Sequence, residues 1–155
     1  MRIGVVAVGR LGRAPEAALA QDYLKRATAA GRALGLGPFD LAEVESRRPG
    51  KAFEGAALLA AAAPDAHRIA LDERGRPSTS RAFAERLGGL RDCGVRRVEF
   101  LIGGADGLPD EVRESAAELL AFGPQTWPHA LVRLMLAEQL YRAVTILAGS
   151  PYHRD

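Results

Sequence analysis

The feature that most constrains the fold is the alternation of short apolar runs with longer segments of helical spacing. Residues 3–8 (IGVVAV) form a continuous apolar run that ends at Gly9, which is typical of a buried strand. Residues 39–45 (FDLAEVE) alternate apolar and polar side chains, which indicates a half-buried strand. Strands that alternate with helices predict βαβ units and a mostly parallel sheet with helices on both faces, an α/β fold.

The remaining elements follow from the same periodicities. After the strand that ends at Leu71 we expect a turn, and in the helix beginning at residue 108 we expect Pro109 in the first turn. The further strands are predicted at residues 67–71, 96–104 and 119–122, and the helices at residues 15–33, 52–63, 80–91, 108–120 and 128–147.

Length and composition favour one folded domain over residues 1–155. The chain is 48% hydrophobic, enough for a substantial core. A single cysteine, Cys93, rules out an internal disulfide and fits a reducing, cytoplasmic setting. Three scattered histidines show no HxxxH or CxxC partner spacing, so we expect no metal site. No apolar run reaches the roughly 18 residues of a membrane span, and the N-terminus lacks the features of a signal peptide.

The charge balance permits nucleic-acid binding without demanding it. The formal net charge is only +2, although the sequence pI is about 9.0. Nearly all basic residues are arginine, since Lys25 and Lys51 are the only lysines. Arginine suits bidentate contacts to phosphate. A GC-rich genome would produce the same bias, and composition is the simpler explanation.

Three loops follow predicted strands at the sheet edge where parallel α/β proteins bind ligands. They are residues 71–77 (LDERGRP), 103–109 (GGADGLP) and 123–129 (GPQTWPH). The P-loop and Rossmann glycine spacings are both absent. Taken alone, residues 103–109, which we call the glycine loop, are therefore interpreted as a plain turn. The third loop fits two interpretations equally well: a preformed pocket, or a stiff connector whose Trp127 fills the core.

The last predicted helix is apolar nearly all round, so we expect it to be buried inside the domain or in a dimer interface. Glu138 and Arg142 are spaced i, i+4, which predicts an ion pair on the helix face. Arg133 falls on another face and is expected to be solvated. His67 is expected at the surface, and His129 in the first turn of the helix.

Four of these segments together resemble one family. They are the strand ending in LD (71–72), LIGGADGL (101–108), PHALVRLMLAEQLYRA (128–143) and the terminal PYHRD (151–155). The chain resembles, over essentially its whole length, the bacterial ribosomal RNA large-subunit methyltransferase H family, the small single-domain members of the SPOUT methyltransferases. The resemblance implies methyl transfer from S-adenosylmethionine to N3 of a pseudouridine in 23S rRNA. The target would lie in a stem-loop at the subunit interface of the assembled ribosome.

The same resemblance implies a fold and an assembly that composition does not show. It implies a SPOUT-type α/β knot, in which the C-terminal region forms a trefoil knot and the three loops build a cofactor cleft. It also implies a homodimer with the active site near the subunit interface. Neither a metal ion nor a membrane is expected to take part in the activity.

Site residues carry over by motif position. Among the residues implied in catalysis, His153 would accept a proton. Arg154 would hold phosphate or a base oxygen, Tyr152 would stack or hydrogen-bond, and Arg142, braced by Glu138, would contact RNA. The implied cofactor contacts are Leu71, Gly103, Phe122, Gly123, Pro124, Gln125, Thr126 and Trp127.

Two alternatives stay open at this stage. A non-catalytic ribosome-binding factor with the same fold would bind S-adenosylmethionine weakly or not at all. A SPOUT enzyme that acts on tRNA is less consistent with the chain, which shows no appended RNA-binding domain.

Overall fold

The fold is built on a five-stranded sheet in which all paired neighbours run parallel, in the order β2-β1-β4-β3-β5. A computed structural model describes residues 1–154, so Asp155 of the terminal segment lies outside the described residues. The strands are β1 (Arg2–Val8), β2 (Phe39–Val44), β3 (His67–Pro77), β4 (Arg97–Ile102) and β5 (Glu118–Ala121). The helices are α1 (Pro15–Gly31), α2 (Lys51–Ala61), α3 (Ser80–Asp92), α4 (Asp110–Ser115) and α5 (His129–Leu147), with a 3-10 turn at Arg32–Leu34.

Helices cover both faces of the sheet, which explains the continuous apolar runs of β1 and β4. Successive side chains of a strand point to opposite faces. Accordingly, Ile3 and Val5 pack into one cluster with residues of α1, α3 and α5, whereas Val6 and Val8 pack into a second cluster with residues of α2 and α4. The predicted α/β fold, a parallel sheet with helices on both faces, is therefore confirmed.

Strand β3 is longer than the sequence indicated. The predicted turn after Leu71 is wrong, because the strand continues to Pro77 after an irregularity in its pairing with β5 between Leu71 and Arg76. Gly75 makes this possible: a Cβ placed there would lie 2.5 Å from the carbonyl carbon of Leu120. A side chain at this position would push the two strands apart.

The helix predicted at residues 108–120 is also wrong in its second half. Helix α4 ends at Ser115, and Pro109 precedes the helix instead of lying in its first turn. Ala116 is extended, and the N–H of Ala117 donates to the carbonyl of Arg68 in β3 over 2.9 Å. Pairing with β3 thus outweighs the helical preference of the sequence, and the strand predicted at residues 119–122 is confirmed as the edge strand β5 at residues 118–121.

Helix α5 lies against α1 and α3, with Leu136, Leu140 and Val144 fully buried in the larger cluster. This confirms the expected helix and its burial within the chain. Across residues 1–154, none of the helices combines the length and the apolar character that crossing a membrane requires. The trefoil knot implied by the resemblance stays a prediction.

Candidate active site

A cavity of about 340 Å³ opens at the carboxyl ends of β3 and β4. We call it the strand-end cavity. Apolar side chains from three elements line it. They are Leu71, near the middle of β3, Ile102, at the end of β4, and Val132, in α5. Its volume lies within the usual range for small-molecule sites. A cavity therefore lies at the edge of the sheet where the sequence predicted a ligand site.

The glycine loop forms one wall of this cavity and depends on the absence of a side chain at Gly103. A Cβ there would lie 2.8 Å from the carbonyl carbon of Gly107 and 3.1 Å from a methyl of Leu108. The loop closes on itself, because the N–H of Gly107 donates to the carbonyl of Gly104 over 3.1 Å. Gly103 therefore has to be a glycine for the loop to close this tightly, and its main chain lines the cavity.

The loop before α5 forms the opposite wall. The indole N–H of Trp127 donates to the carbonyl of Phe122 over 3.1 Å, so the loop is closed at its base. Trp127 is 40% exposed and lines the cavity, which rules out the interpretation in which it fills the core. The predicted cofactor contacts that line the cavity are Leu71, Gly103, Phe122, Gly123, Gln125, Thr126 and Trp127, whereas Pro124 lies in the same loop outside the lining.

An ion cluster around the nearly buried Arg113–Asp72 pair, which sequence reasoning missed, supports the glycine loop. Arg113 of α4 lies 3.3 Å from Asp72, which follows Leu71 in β3. The same guanidinium donates to Asp110 and to the carbonyl of Leu108, and it lowers the pKa of Asp110. Arg113 thus ties β3, the glycine loop and α4 together. The LD pair was visible in the sequence, but its partner, 41 residues further on, was not.

Arg133 corrects a second expectation, since it is buried and not solvated, with only 2% of its surface exposed. Its guanidinium donates to the carbonyl of Val8 and lies 3.0 Å from Glu43. Glu43 also accepts the N–H of Leu11 over 2.9 Å. Burial lowers the pKa of Arg133, and the charge of Glu43 opposes that change. Arg133 therefore joins the ends of β1 and β2 to the first turns of α5.

Replacing Arg133 with methionine should destabilise the protein by about 2 kcal/mol or more. The change leaves the Val8 carbonyl and the Glu43 carboxylate without their buried donor. The free energy of unfolding measured in denaturant tests this, with Arg32→Ala, an exposed arginine of the 3-10 turn, as the control expected to change it by less than about 0.5 kcal/mol. Equal stability of Arg133→Met and the unmodified chain would show that the buried pair contributes nothing.

The terminal segment is held against α5 by a polar cluster. The predicted Glu138–Arg142 ion pair is confirmed, with Nη2 2.5 Å from Oε1. Glu138 also accepts the hydroxyl of Tyr152 over 3.0 Å, and Arg142 Nη1 lies 3.2 Å from Nδ1 of His153. The Tyr152 ring packs edge-on against Tyr141, with ring centroids 4.8 Å apart. Tyr152 and His153 are partly buried, whereas Arg154 is exposed.

These contacts fix the hydrogen-bonding roles of two side chains. Burial raises the pKa of Tyr152, and hydrogen bonds with Tyr23 and Glu138 raise it further, so the phenol stays protonated at neutral pH. A guanidinium can only donate, so Nδ1 of His153 accepts from Arg142. In this arrangement a neutral imidazole carries its proton on Nε2.

The predicted site residues fall into two separate groups within one chain. None of Arg142, Tyr152, His153 and Arg154 lines the strand-end cavity. Val132, which does, lies ten residues before Arg142 in α5, or about 15 Å along the helix axis.

Two histidines outside the tail differ in how well they were predicted. His67 is not a free surface residue, because its Nε2 lies 2.7 Å from Glu118 and the side chain is partly buried. His129 lies at the start of α5 as expected and lines the strand-end cavity. Within residues 1–154, no three His, Cys, Asp or Glu side chains are grouped so as to hold a metal ion.

Comparison with known proteins shows the family to which this chain belongs. The family model described as "Predicted SPOUT methyltransferase" matches residues 1–153. The chain belongs to the SPOUT methyltransferases. Full-length relatives place this SPOUT chain in the ribosomal RNA large subunit methyltransferase H family. One, from Phenylobacterium zucineum (strain HLK1), is 66% identical over 155 residues, with 100% of both chains covered. Another, from Caulobacter sp. (strain K31), is 63% identical with the same coverage.

Solved structures support the SPOUT fold at much lower sequence identity. A probable methyltransferase from Bordetella pertussis Tohama I aligns with a TM-score of 0.52 at 20% identity, covering 92% of this chain and 96% of that one. A probable methylase family protein from Haemophilus influenzae Rd KW20 aligns with a TM-score of 0.52 at 16% identity, covering 99% of this chain and 70% of that one. At these identities the likeness concerns the fold alone.

Proposed function

We propose that this SPOUT chain is a cytoplasmic, S-adenosylmethionine-dependent enzyme that methylates N3 of a pseudouridine in 23S rRNA within the assembled ribosome. The observation that carries the proposal is the strand-end cavity, which is lined by seven of the eight residues expected to hold the cofactor. The names of the full-length relatives support rRNA as the substrate.

The residues present fit a nucleoside cofactor without phosphates. Leu71, Ile102 and Val132 supply an apolar slot for an adenine ring, and the main chain at Gly103, which lines the same cavity, is available for hydrogen bonds. S-adenosylmethionine, when bound, supplies an activated methyl group on a sulfonium. The residues around the cavity would hold it by shape and by main-chain contacts, so the missing P-loop is no obstacle.

The target nitrogen sets what the remaining residues must do. An imide N–H is a poor nucleophile until it loses its proton, and transfer needs the nitrogen in line with the methyl–sulfur bond. Holding the base in that position would supply much of the rate. A cation near the base would stabilise the developing imide anion, and Arg142 and Arg154 are the cations of the tail region.

The separation of the cavity from the tail supports a homodimer as the working unit. A second cavity, of about 560 Å³, lies between α1 and α5, and Tyr23, Leu134 and Met135 contribute to its lining. Leu19, at its edge, is 50% exposed. A second copy covering this apolar surface would remove it from water. We propose that the tail of one subunit then meets the strand-end cavity of the other.

Methyl transfer to intact ribosomes tests this function most simply. With radiolabelled S-adenosylmethionine, we expect label in the 23S rRNA of intact ribosomes and little label on free rRNA. The chain has a modest net charge, so a large preformed surface is needed to locate the target. Binding to ribosomes without transfer, together with weak or absent cofactor binding in calorimetry, would instead indicate a non-catalytic ribosome-binding factor.

A further inference from the structure

A third cavity, of about 700 Å³, lies beside the strand-end cavity, between the second half of β3, β5 and α3. Three arginines line it: Arg74 and Arg76 from β3, and Arg86 from α3. We call it the arginine groove. Among residues 1–154, Glu118 is the only acidic residue that lines it. It is open to solvent at Arg74 and Arg76, both of which are exposed.

The sequence RGR at residues 74–76 explains why two arginines face this groove. Gly75 lies against the backbone of β5, where a Cβ would approach the backbone of Leu119 and Leu120 to between 2.5 and 2.7 Å. Neighbouring residues of an extended chain direct their side chains away from the one between them. With Gly75 pressed against β5, Arg74 and Arg76 are left to line the groove on the outer side.

The charges of the groove do not cancel. Glu118 accepts from Nε of Arg86 at 3.0 and 3.1 Å and lies 2.7 Å from His67. Burial alone would raise the pKa of Glu118, but the hydrogen bonds from Arg86 and His67 lower it overall, so the carboxylate stays ionised. Arg74 lies within electrostatic reach of Asp110, which is already hydrogen-bonded to Arg113. Arg74 and Arg76 therefore give the groove an excess of positive charge.

We propose that the arginine groove binds phosphate groups of the rRNA strand that carries the target base, an inference that rests on the proposed function. Arg74 and Leu120 line both the groove and the strand-end cavity, so the two are adjacent. Guanidinium groups bind phosphate oxygens bidentately, and such contacts position a nucleic acid without reading its sequence. Phosphates bound here would hold the rRNA strand next to the strand-end cavity and so contribute to the affinity for the ribosome.

The test uses Arg76→Ala, because Arg76 lines the groove but not the strand-end cavity. The matched control is Arg96→Ala, an exposed arginine just before β4, at the amino end of that central strand. Affinity for intact ribosomes is measured by sedimentation at several salt concentrations, together with KM and kcat for methyl transfer. We expect Arg76→Ala to weaken ribosome binding several-fold and to reduce the slope of log affinity against log salt by about 1, as for one lost phosphate contact.

The cofactor affinity and the kcat at saturating ribosomes should stay at the unmodified values, and Arg96→Ala should change neither affinity nor slope. An unchanged salt slope in Arg76→Ala would overturn the proposal. So would a change of oligomeric state in ultracentrifugation, which would assign the groove to contact between copies of the chain. Ribosome binding is measured independently of methyl transfer. If the unmodified protein binds ribosomes but is inactive, the proposed function is refuted, and the salt dependence of ribosome binding still tests the groove.

Discussion

Replacing Gly103 with valine should lower the affinity for S-adenosylmethionine at least tenfold and abolish most methyl transfer. A Cβ at this position already lies 2.8 Å from the backbone of Gly107, so the added methyl groups must displace the glycine loop or enter the cavity. Either outcome removes the close main-chain approach on which cofactor binding would depend. Isothermal titration calorimetry with S-adenosylmethionine measures the effect directly.

The matched control for Gly103→Val is Gly89→Ala in the last turn of α3. A Cβ at Gly89 meets no atom within 4 Å, and alanine favours the helix over glycine, so cofactor affinity should be unchanged and stability slightly raised. Thermal unfolding of both variants separates loss of the site from loss of the fold. A folded Gly103→Val variant with unchanged cofactor affinity would show that the strand-end cavity is not the cofactor site.

Replacing His153 with alanine should lower kcat by about 10²–10⁴-fold, the usual range for a side chain that handles a proton in the transition state. Cofactor affinity should be kept, because the residues expected to hold the cofactor are unchanged, and subunit association should be kept as well. Methyl transfer to ribosomes under saturating cofactor measures the loss. Removal of residues 152–155 should lower activity at least as much, because it also takes away Tyr152 and Arg154.

The hydrogen bond from Arg142 to Nδ1 of His153 leads to a second experiment, which distinguishes a base from a hydrogen-bond donor at this position. His153 can accept a proton at Nδ1 only if Arg142 releases that atom, and otherwise the ring serves as a donor through Nε2. A His153→Gln variant keeps a donor but no base, so it should retain more activity than His153→Ala if the ring donates. Equal loss in both variants, with a pH–rate profile that loses its acidic limb, would indicate a base. Unchanged activity in His153→Ala would contradict both roles.

Much of the fold was predictable because local pattern and tertiary environment agree. The run at residues 3–8 is buried on both faces of the sheet, and helix α5 buries Leu136, Leu140 and Val144, as their spacing indicated. The gathering of the three loops at one edge follows from parallel strands, whose carboxyl ends meet there. For that reason the predicted cofactor residues lie together, even though they are far apart in the chain.

The errors came from contacts that no local pattern reveals. Arg133 is one of two arginines in an apolar helix, and only the position of Val8 and Glu43 at the strand ends makes burial favourable for it. The helix predicted to run to residue 120 ends at Ser115, because the chain then pairs with the open edge of β3 as β5, the strand predicted at residues 119–122. The pattern also gave no sign that the tail and the cavity lie apart within one chain, since sequence spacing does not report distance between elements.

The most direct test of the account is methyl transfer to ribosomes that either contain or lack pseudouridine at the target position. With radiolabelled S-adenosylmethionine, we predict label in 23S rRNA of the pseudouridine-containing ribosomes, located on N3 of that base, and much less label on ribosomes that carry uridine there. Absence of label on both kinds of ribosome, or label on a different RNA, would contradict the proposed function.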